Sequence, residues 1–324
     1  MKDVKFSIVI PVFNAEKFLT EALDSIVNQA YQNFEVIIIN DGSTDSSIEQ
    51  AFQYKGRIKN LKIINQINSG QGCARNVGIE HSSGDYIIFL DADDVLKKFA
   101  CDKLNKFLKR NVCDVVCFYY EIYKSGKIFD GYNLFTKRNS LISEARERIT
   151  HISPACWNRA WRKEFIDKFE IRFAENLFFE DALFHWHSMV MADVVDVCPD
   201  ILYTYNVREG STITSRGKHF CDIIKICDQI KKILEQENVY HWYNDLYVLY
   251  KYNEIKSHYD LIDYDLKKLF LSQIKNAILF EEMQIYIEKE NNYKKIFFYL
   301  YVARFLQKIQ LGKLIFKKLC KLIK

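Results

Sequence analysis

Short apolar runs and segments with helical spacing alternate along the first hundred residues. The apolar runs are rich in Val and Ile, the composition of buried strands, and they occupy residues 6–13, 34–41, 61–66 and 85–91. Helical spacing or helix-start residues mark the segments between them, 15–29, 43–55 and 72–82. Buried strands that alternate with helices predict a parallel sheet with helices on both faces.

The pattern changes beyond residue 97. Three segments predict further helices, 97–111, 155–166 and 178–191. Two segments predict further strands, 113–123 and 200–208. Residues 124–153 are polar and weakly patterned, which indicates a mobile connection, and from residue 219 onward the spacing is helical. We therefore predict an α/β domain over residues 1–218 and a helical C-terminal region over residues 219–324.

The fourth predicted strand ends in three carboxylates, Asp91, Asp93 and Asp94. Such groups repel one another, and burying them is costly unless a positive charge lies between them. Ligands bind at the carboxyl ends of strands in sheets of this kind, and carboxylate oxygens suit a hard cation such as Mg²⁺ or Mn²⁺. The sequence therefore predicts a metal site here. The alternative is that these acids cap a helix that begins near Val95.

Two further strand ends carry residues suited to a nucleotide. Asp41 follows the second strand, and Gly42 beside it allows a tight turn, so the carboxylate can accept hydrogen bonds from a base or a ribose. Gly70 and Gly72 precede Arg75, whose guanidinium can pair with a phosphate or with a carboxylate across the cleft. Groups suited to base, phosphate and metal thus meet at one edge of the predicted sheet.

Composition limits the class of protein. The 324 residues are 49% apolar, enough for a sizeable core, yet no apolar run reaches the ~20 residues needed to span a bilayer. Nine cysteines are scattered without a Cys-x-x-Cys pair, which favours free, mostly buried thiols in a reducing cytosol. The first residues lack the pattern of a signal peptide. We expect a cytoplasmic protein.

Charge is unevenly distributed along the chain. The net charge is +4, but residues 291–324 carry nine Lys and Arg and no acid, so the remainder has a net charge of −5. On a helical wheel, residues 297–324 separate into an apolar side and a basic side. This pattern predicts a helix on an anionic membrane surface, at the inner face of the cytoplasmic membrane. The alternative is a packed terminal helix with a solvated basic face. No nucleic-acid partner is expected, because no nucleic-acid-binding module accompanies the charge.

Four motifs, in order, resemble those of family 2 glycosyltransferases with the GT-A fold. They are "SIVIPVFNAEKFL", "VIIINDGSTD", "NSGQGCARNVGI" and "YIIFLDADD", within residues 5–110. The resemblance implies a Rossmann-like, mostly parallel central sheet flanked by helices. It also implies a nucleotide-sugar donor, most often UDP-linked, and Mn²⁺ or Mg²⁺ as cofactor.

The same resemblance implies roles for particular residues. The nucleoside pocket would be lined by Pro11, Phe13 and Asp41. Arg75 would support the nucleotide site. Asp91 would lie at the ribose and the metal, and Asp93 would bind the metal that bridges the diphosphate.

Two motifs of the second half resemble the same family. "LFFEDALFHW" is similar to the acidic motif that supplies the catalytic base, which would be Asp181, with Glu180 near the acceptor. The alternative for this acidic pair is an ordinary helix N-terminus, where the dipole favours acids. "YNVREGSTIT" resembles the stretch that closes over the diphosphate, with Arg208 and Ser211 as contacts.

A third segment, "WNRAW", resembles a family sequence that usually reads Trp-Asn-Lys-Leu. It implies that Trp157 contacts the acceptor, although Arg159 and Ala160 depart from the family pattern. His219 has two interpretations, a place in the metal shell or an ordinary surface or core histidine.

Together these motifs predict an inverting, metal-dependent glycosyltransferase. It would move a hexosyl or N-acetylhexosaminyl group from a nucleotide sugar to a hydroxyl of a glycan or lipid-linked glycan in cell-surface polysaccharide assembly. Two alternatives stay open: a sugar nucleotidyltransferase, and a catalytically degenerate, membrane-associated scaffold. A nucleotidyltransferase would need a Gly/Arg/Lys-rich loop after the first strand, and "PVFNAEKF" is not one. A Rossmann dehydrogenase is disfavoured, because no G-x-G-x-x-G follows that strand.

Overall fold

The computed structural model divides the chain into two compact units, Met1–Ser211 and Thr212–Lys324. It describes residues 3–131, 145, 148–149, 153–208, 216–292, 295–296 and 298–299. The first unit ends near the boundary predicted from the sequence, and the functional assignment of the two parts stays a prediction.

One sheet organises the first unit. Its described residues supply nine strands: β1 Phe6–Val12, β2 Phe34–Asn40, β3 Leu61–Asn65, β4 Tyr86–Phe89, β5 Val95–Leu96, β6 Val115–Lys124, β7 Lys127–Asp130, β8 Arg159–Arg162 and β9 Val195–Asn206. Their spatial order is β3-β2-β1-β4-β8-β6-β9-β5, with β7 paired to β6. β1 and β2 are buried along their whole length, as their nearly continuous apolar composition predicts.

Strand direction gathers the functional motifs at one edge. β1, β2, β3 and β4 are mutually parallel. β8 runs antiparallel to both β4 and β6, so β4 and β6 point the same way, and β9 is parallel to β6. The carboxyl ends of six strands therefore lie at the same edge of the sheet. The predicted α/β class, with a mixed and mostly parallel sheet, is confirmed.

Helices flank this sheet. The described helices of the first unit are α1 Leu19–Val27, α2 Ser47–Gln53, α3 Gln71–His81, α4 Ala100–Leu108, α5 Lys163–Lys168 and α6 Glu180–Met191. α1 buries the face formed by Leu19, Leu23 and Ile26, the spacing that predicted it. The second unit is helical, as predicted, and its described helices are α7 Asp222–Gln236, α8 Tyr240–Leu261, α9 Lys267–Ala277 and α10 Phe280–Lys289.

Sequence patterning was wrong at two places. Residues 155–166 were predicted to be helical, but Arg159–Arg162 forms β8, and only Lys163–Lys168 is helix. The strand is favoured because Ala160 and Trp161, both 0% exposed, fill the space between β4 and β6 and complete the hydrogen bonding of both strands. The alternative of a helix near Val95 is also wrong, since Val95–Leu96 is a strand paired with β9.

Residues 124–153, predicted to be a mobile connection, begin with a regular element. Lys127–Asp130 returns along β6 to form a hairpin. Residues 132–144 lie outside the described residues, as does nearly all of the basic tail, residues 300–324. None of the helices in the described part of the chain combines the length and the hydropathy of a membrane-spanning segment.

Charge is buried within the second unit as well. Glu282 is 3% exposed and accepts hydrogen bonds from Lys251 and Lys231, each at 2.8 Å. Lys251 is itself 1% exposed. Because a buried ion is tolerated only when it is paired, this triad fixes α7, α8 and α10 in one arrangement.

The contact between α3 and β1 leaves no room for a side chain at Gly78. A Cβ atom there would lie 2.2 Å from Val9 Cγ1. We predict that Gly78→Ala lowers the free energy of unfolding by about 1–3 kcal/mol through overpacking, although alanine normally favours a helix. Gly56→Ala is the control, because nothing lies within 4 Å of its Cβ position. Urea denaturation followed by circular dichroism measures both. Equal stability of the wild type and Gly78→Ala would contradict the packing.

Candidate active site

A buried arginine lies at the centre of the edge where the strand ends meet. Arg75, 1% exposed, comes from α3. Its Nη2 lies 2.9 Å from Asp91 Oδ1, and its Nη1 lies 2.7 Å from Glu180 Oε1 and 2.9 Å from Asp181 Oδ1. The guanidinium therefore joins the acid that follows β4 to the two acids that begin α6. Arg75 therefore pairs with carboxylates across the cleft, which is one of the two kinds of partner predicted for it.

Backbone features bring α3 and α6 close enough for these ion pairs. A Cβ atom on Gly72 would lie 2.2 Å from the Ala174 carbonyl oxygen and 3.1 Å from Glu180 Cβ, so only glycine permits this approach. Phe179, immediately before α6, has φ 66°. A left-handed conformation is uncommon for a bulky residue, and such strain concentrates at functional sites.

Burial changes the proton affinity of the acidic pair. It raises the pKa of Glu180 to about 7, with the neighbouring Asp181 charge adding to the rise and Arg75 opposing it. Burial also raises the pKa of Asp181, again against the effect of Arg75. A carboxylate whose pKa lies nearer to neutrality is a better proton acceptor. Burial thus distinguishes this pair from exposed acids at a helix N-terminus, and the role of Asp181 as general base stays a prediction.

Asp93 is also held by an arginine. Its carboxylate forms an ion pair with the Arg208 guanidinium. That guanidinium lies over the Phe18 ring, 3.8 Å from the ring centroid, in a cation–π arrangement. The residue predicted to bind metal and the residue predicted to contact diphosphate are thus in direct contact.

Asp94 has a different environment from its two neighbours. It is 1% exposed, and its carboxylate accepts hydrogen bonds from the Tyr203 hydroxyl and the Asn206 N–H, both at 2.8 Å. Burial raises its pKa to about 8. Asn206 Nδ2 also donates to the Asp93 carbonyl at 2.7 Å. Asp94 therefore fixes the acidic loop to β9, a role that no sequence motif indicated.

The Asp41 carboxylate is occupied by the loop before α3. It accepts hydrogen bonds from the N–H groups of Ser69 at 2.8 Å and Gly70 at 2.9 Å, and from Gln66 Nε2 at 2.8 Å. Gly70, with φ 87°, has the positive φ that this turn into α3 requires. Asp41 thus positions the loop, and its contact with a nucleoside stays a prediction.

The remaining predicted residues are distributed as follows. Pro11 is buried within β1, and Phe13, 51% exposed, follows that strand at the same edge of the sheet. Arg159 is buried, and its guanidinium donates to nearby backbone carbonyls, those of Ser153 and Ala155. Ser211 lies outside the described residues, and His219 belongs to the second unit.

Trp157 is the centre of an aromatic cluster. Its ring stacks on Tyr203 and Tyr205, with centroids 4.9 and 5.3 Å apart, and meets Tyr120 edge to face at 4.7 Å. Because Tyr203 is hydrogen-bonded to Asp94, this cluster is tied to the acidic loop. Tyr203, Tyr205 and Tyr120 were not identified from the sequence.

The donor chemistry of this edge suits a divalent cation shared with a ligand. Asp91 and Asp93 supply carboxylate oxygens, the ligands that Mg²⁺ and Mn²⁺ prefer. Within the described ranges, no group of three or more His, Cys, Asp or Glu side chains could hold a metal by itself. One or two carboxylates are sufficient when phosphate oxygens complete the shell, as is usual for Mg²⁺ in nucleotide enzymes.

Comparison with solved structures gives the fold family. The crystal structure of residues 1–349 of Staphylococcus aureus TarS, in complex with UDP-GlcNAc, has a TM-score of 0.72 at 21% identity. The match covers 93% of this chain and 90% of that one. A likeness at this level of identity establishes the fold.

Two curated relatives match by sequence. The chain is 30% identical over 212 residues to the uncharacterized glycosyltransferase EpsJ of Bacillus subtilis, which covers 63% of this chain and 62% of that protein. It is 28% identical over 256 residues to the cholesterol galactosyltransferase of Borreliella burgdorferi. That match covers 75% of this chain and 71% of the relative. The match spans 31% of the length of one further curated relative and 64% of the length of another.

The family model described as glycosyl transferase family 2 matches residues 7–169, half of the chain. That range contains Asp41, Arg75, Asp91 and Asp93. The chain belongs to glycosyl transferase family 2.

Proposed function

We propose that this protein is an inverting, metal-dependent glycosyltransferase that takes a hexosyl or N-acetylhexosaminyl group from a UDP-sugar. The single observation that carries the proposal is the Arg75 cluster, in which one cation joins Asp91 of the donor motif to Asp181 of the base motif. The bound UDP-GlcNAc of TarS supports this donor class. The family membership favours glycosyl transfer over the nucleotidyltransferase alternative, and Asp91, Asp93 and Asp181 argue against a degenerate scaffold.

Asp181 is the proposed general base. Its carboxylate accepts the proton of an acceptor hydroxyl as that oxygen bonds to the anomeric carbon. The bond between the anomeric carbon and the diphosphate breaks, and its electron pair leaves with UDP. Because attack comes from the face opposite the leaving group, the anomeric configuration inverts. Arg75 orients Asp181, and Glu180 and Trp157 are proposed to contact the acceptor.

The donor would occupy the strand ends on the other side of Arg75. Pro11, Phe13 and Asp41 would bind the nucleoside, and Arg208 and Ser211 the diphosphate. Asp91 and Asp93 would hold Mn²⁺ or Mg²⁺, which when bound neutralises charge on the departing diphosphate. The solved structure of a Pyrobaculum calidifontis mannosyltransferase, which is similar to this fold, contains GDP-Man and Mn²⁺. That complex supports a divalent metal in the proposed donor site.

A glycan or lipid-linked glycan used in cell-surface polysaccharide assembly is the proposed acceptor. The Borreliella burgdorferi relative is named for galactosyl transfer to cholesterol, a membrane lipid, which supports an acceptor within a bilayer. We further propose a cytoplasmic protein that associates peripherally with the inner face of the cytoplasmic membrane. The nine basic and no acidic residues of 291–324 support this location.

Donor identity is testable by ligand-dependent stabilisation. A ligand that binds the folded state raises the melting temperature with its affinity. We expect a panel of UDP-, GDP- and dTDP-sugars with Mn²⁺ to stabilise the protein most through a UDP-sugar. Stabilisation by none of the panel would contradict the proposal.

Asp181→Asn tests the base. The amide keeps the shape but cannot accept a proton, so we predict that kcat falls by about 10²–10⁴ while UDP-sugar affinity is nearly unchanged. Glu180→Gln is the comparison variant. Because Glu180 is proposed to contact the acceptor, we expect this substitution to change the acceptor KM more than it changes kcat. NMR coupling of the anomeric proton should show that an α-linked donor gives a β-glycoside. A retained configuration, or wild-type turnover by Asp181→Asn, would rule out the assignment.

The pH dependence follows from the raised pKa of Asp181. A base must be deprotonated to act, so activity is lost as pH falls through the pKa in the folded protein. Because burial raises that pKa, the acidic limb of the kcat/KM profile should lie above the ordinary aspartate pKa of about 4. Asp181→Asn should lose this limb from its residual activity. A wild-type profile that stays flat down to about pH 4 would contradict the prediction.

Asp93→Ala tests the metal. We predict that it abolishes transfer and also removes the Mn²⁺ dependence of UDP binding, because a carboxylate that completes the metal shell is lost. UDP binding by calorimetry, with and without Mn²⁺, measures this separately from turnover. Glu49→Ala, an exposed acid on α2, is the control and should behave as wild type. Full activity in excess EDTA would disprove metal dependence.

A further inference from the structure

The β6–β7 hairpin presents apolar side chains to solvent at its tip. We define the hairpin tip as residues 123–129. Its exposed apolar residues are Tyr123, Ile128 and Phe129, which are 44%, 63% and 49% exposed. Lys124 and Lys127 flank the turn and are exposed as well. We propose that the hairpin tip inserts into the headgroup region of an anionic lipid bilayer.

Strand register places apolar groups on both faces of this ribbon. Tyr123 is paired with Ile128, and Ile122 is paired with Phe129. Cross-strand partners share a face, and successive residues alternate between faces. Ile128 and Phe129 therefore point to opposite sides. A flat protein partner would cover only one of these sides, whereas the interfacial region of a bilayer surrounds an inserted tip.

The chemistry of the tip matches a membrane interface. Aromatic rings favour the headgroup level, and lysines can bury their stems while their ammonium groups reach lipid phosphates. The nearest acids are Glu121 on β6, which is paired with Lys97, and Asp130 on β7, which is exposed. Lys124 and Lys127 against Asp130 leave this end of the hairpin with a net charge of +1, which an anionic surface attracts.

The turn makes the tip rigid before it meets a partner. Its central residues, Ser125 and Gly126, have φ of 50° and 76°. Positive φ at both central positions is the requirement of a type I′ turn, whose twist matches that of the two strands. A preformed turn loses little conformational entropy when it binds.

Position links the tip to the proposed acceptor. Tyr123 is paired with Asn206, and the Val207 N–H donates to the Tyr123 carbonyl at 2.9 Å. Asn206 in turn holds the Asp93 carbonyl. Since a strand rises about 3.3 Å per residue, the turn stands roughly 7 Å beyond this row. The hairpin tip thus projects from the edge of the sheet that carries the candidate active site.

This inference rests on the proposed transfer to a membrane-anchored acceptor and adds to it a lipid contact within the first unit. A bilayer held at the hairpin tip would bring a lipid-linked hydroxyl toward the edge of the sheet that carries Asp93. The basic residues of 291–324 would provide a second contact, and stable peripheral binding generally needs two.

Vesicles of phosphatidylcholine with about one third phosphatidylglycerol test the proposal with the full chain. We expect the Ile128→Ser/Phe129→Ser protein to bind them at least about tenfold more weakly than wild type. Val112→Ser is the matched control, because Val112 is 64% exposed and precedes β6 at the opposite edge of the sheet. It should bind as wild type does. UDP-sugar affinity, measured on the same proteins, should not change.

A reporter separates the hairpin from the basic tail. In Phe129→Trp, the fluorescence added by the new indole should be quenched by lipids brominated in their acyl chains. The fluorescence added in Val112→Trp should not be quenched. A full-length variant in which the seven Lys and Arg residues of 304–324 are replaced by Gln should bind more weakly than wild type. The Phe129→Trp reporter in that variant should still be quenched when vesicles are in excess.

Several outcomes would overturn the inference. Equal vesicle binding by wild type and the double variant would do so, as would an unquenched reporter on bound protein, since both assign binding to the tail alone. Concentration-dependent dimerisation that the double variant abolishes, without vesicle binding, would assign the surface to a second copy. If the double variant also loses UDP-sugar affinity, its weaker vesicle binding could come from misfolding. Quenching of the Phe129→Trp indole then shows whether the hairpin tip inserts. Failure of the wild type to bind any nucleotide sugar would instead contradict the proposed function.

Discussion

The buried guanidinium of Arg75 is the interaction on which the candidate site depends. An arginine that is 1% exposed would be strongly unfavourable without compensation, and here Asp91, Glu180 and Asp181 compensate it. Those acids are equally unfavourable without the arginine, because three carboxylates close together repel one another. Removing one partner of such a buried set typically costs about 3–5 kcal/mol. The cluster therefore fixes α3, the end of β4 and the start of α6 in one geometry.

This arrangement has a chemical consequence. Asp91 belongs to the motif at the end of β4, and Asp181 begins a helix about ninety residues later, yet they share one counter-ion. Burial raises the pKa of Asp181, and the charge of Arg75 lowers it. The effect of burial is the larger one, so Asp181 holds a proton more readily than an ordinary surface aspartate does. The second arginine, Arg208, holds Asp93 in a similar way. Asp91, Asp93 and Asp181 are thus each positioned by an arginine before substrate arrives, which is the usual basis of electrostatic preorganisation.

The sequence predicted the parts of this structure that depend on local pattern. β1 and β2 are recognisable because unbroken Val and Ile runs suit a strand buried on both faces, and Asp91 and Asp93 because acids rarely end such strands. β8 was mistaken for helix, since four residues are too few to reveal a period and the neighbouring strands decide their conformation. The β6–β7 hairpin was missed, although Ser125-Gly126 is a recognisable turn pair. The role of Asp94 depends on Tyr203 and Asn206, which are more than a hundred residues away, so no local signal could indicate it.

A double-mutant cycle on donor hydrolysis tests most directly whether Arg75 acts through Asp181. Arg75→Lys keeps the charge but loses the planar fork that reaches several carboxylates. If Arg75 acts by positioning Asp181, then Arg75→Lys should change turnover little in a protein that already carries Asp181→Asn. The account predicts that Arg75→Lys/Asp181→Asn turns over within a few-fold of Asp181→Asn alone, while Arg75→Lys alone is strongly impaired. Fully additive effects in folded variants would contradict it.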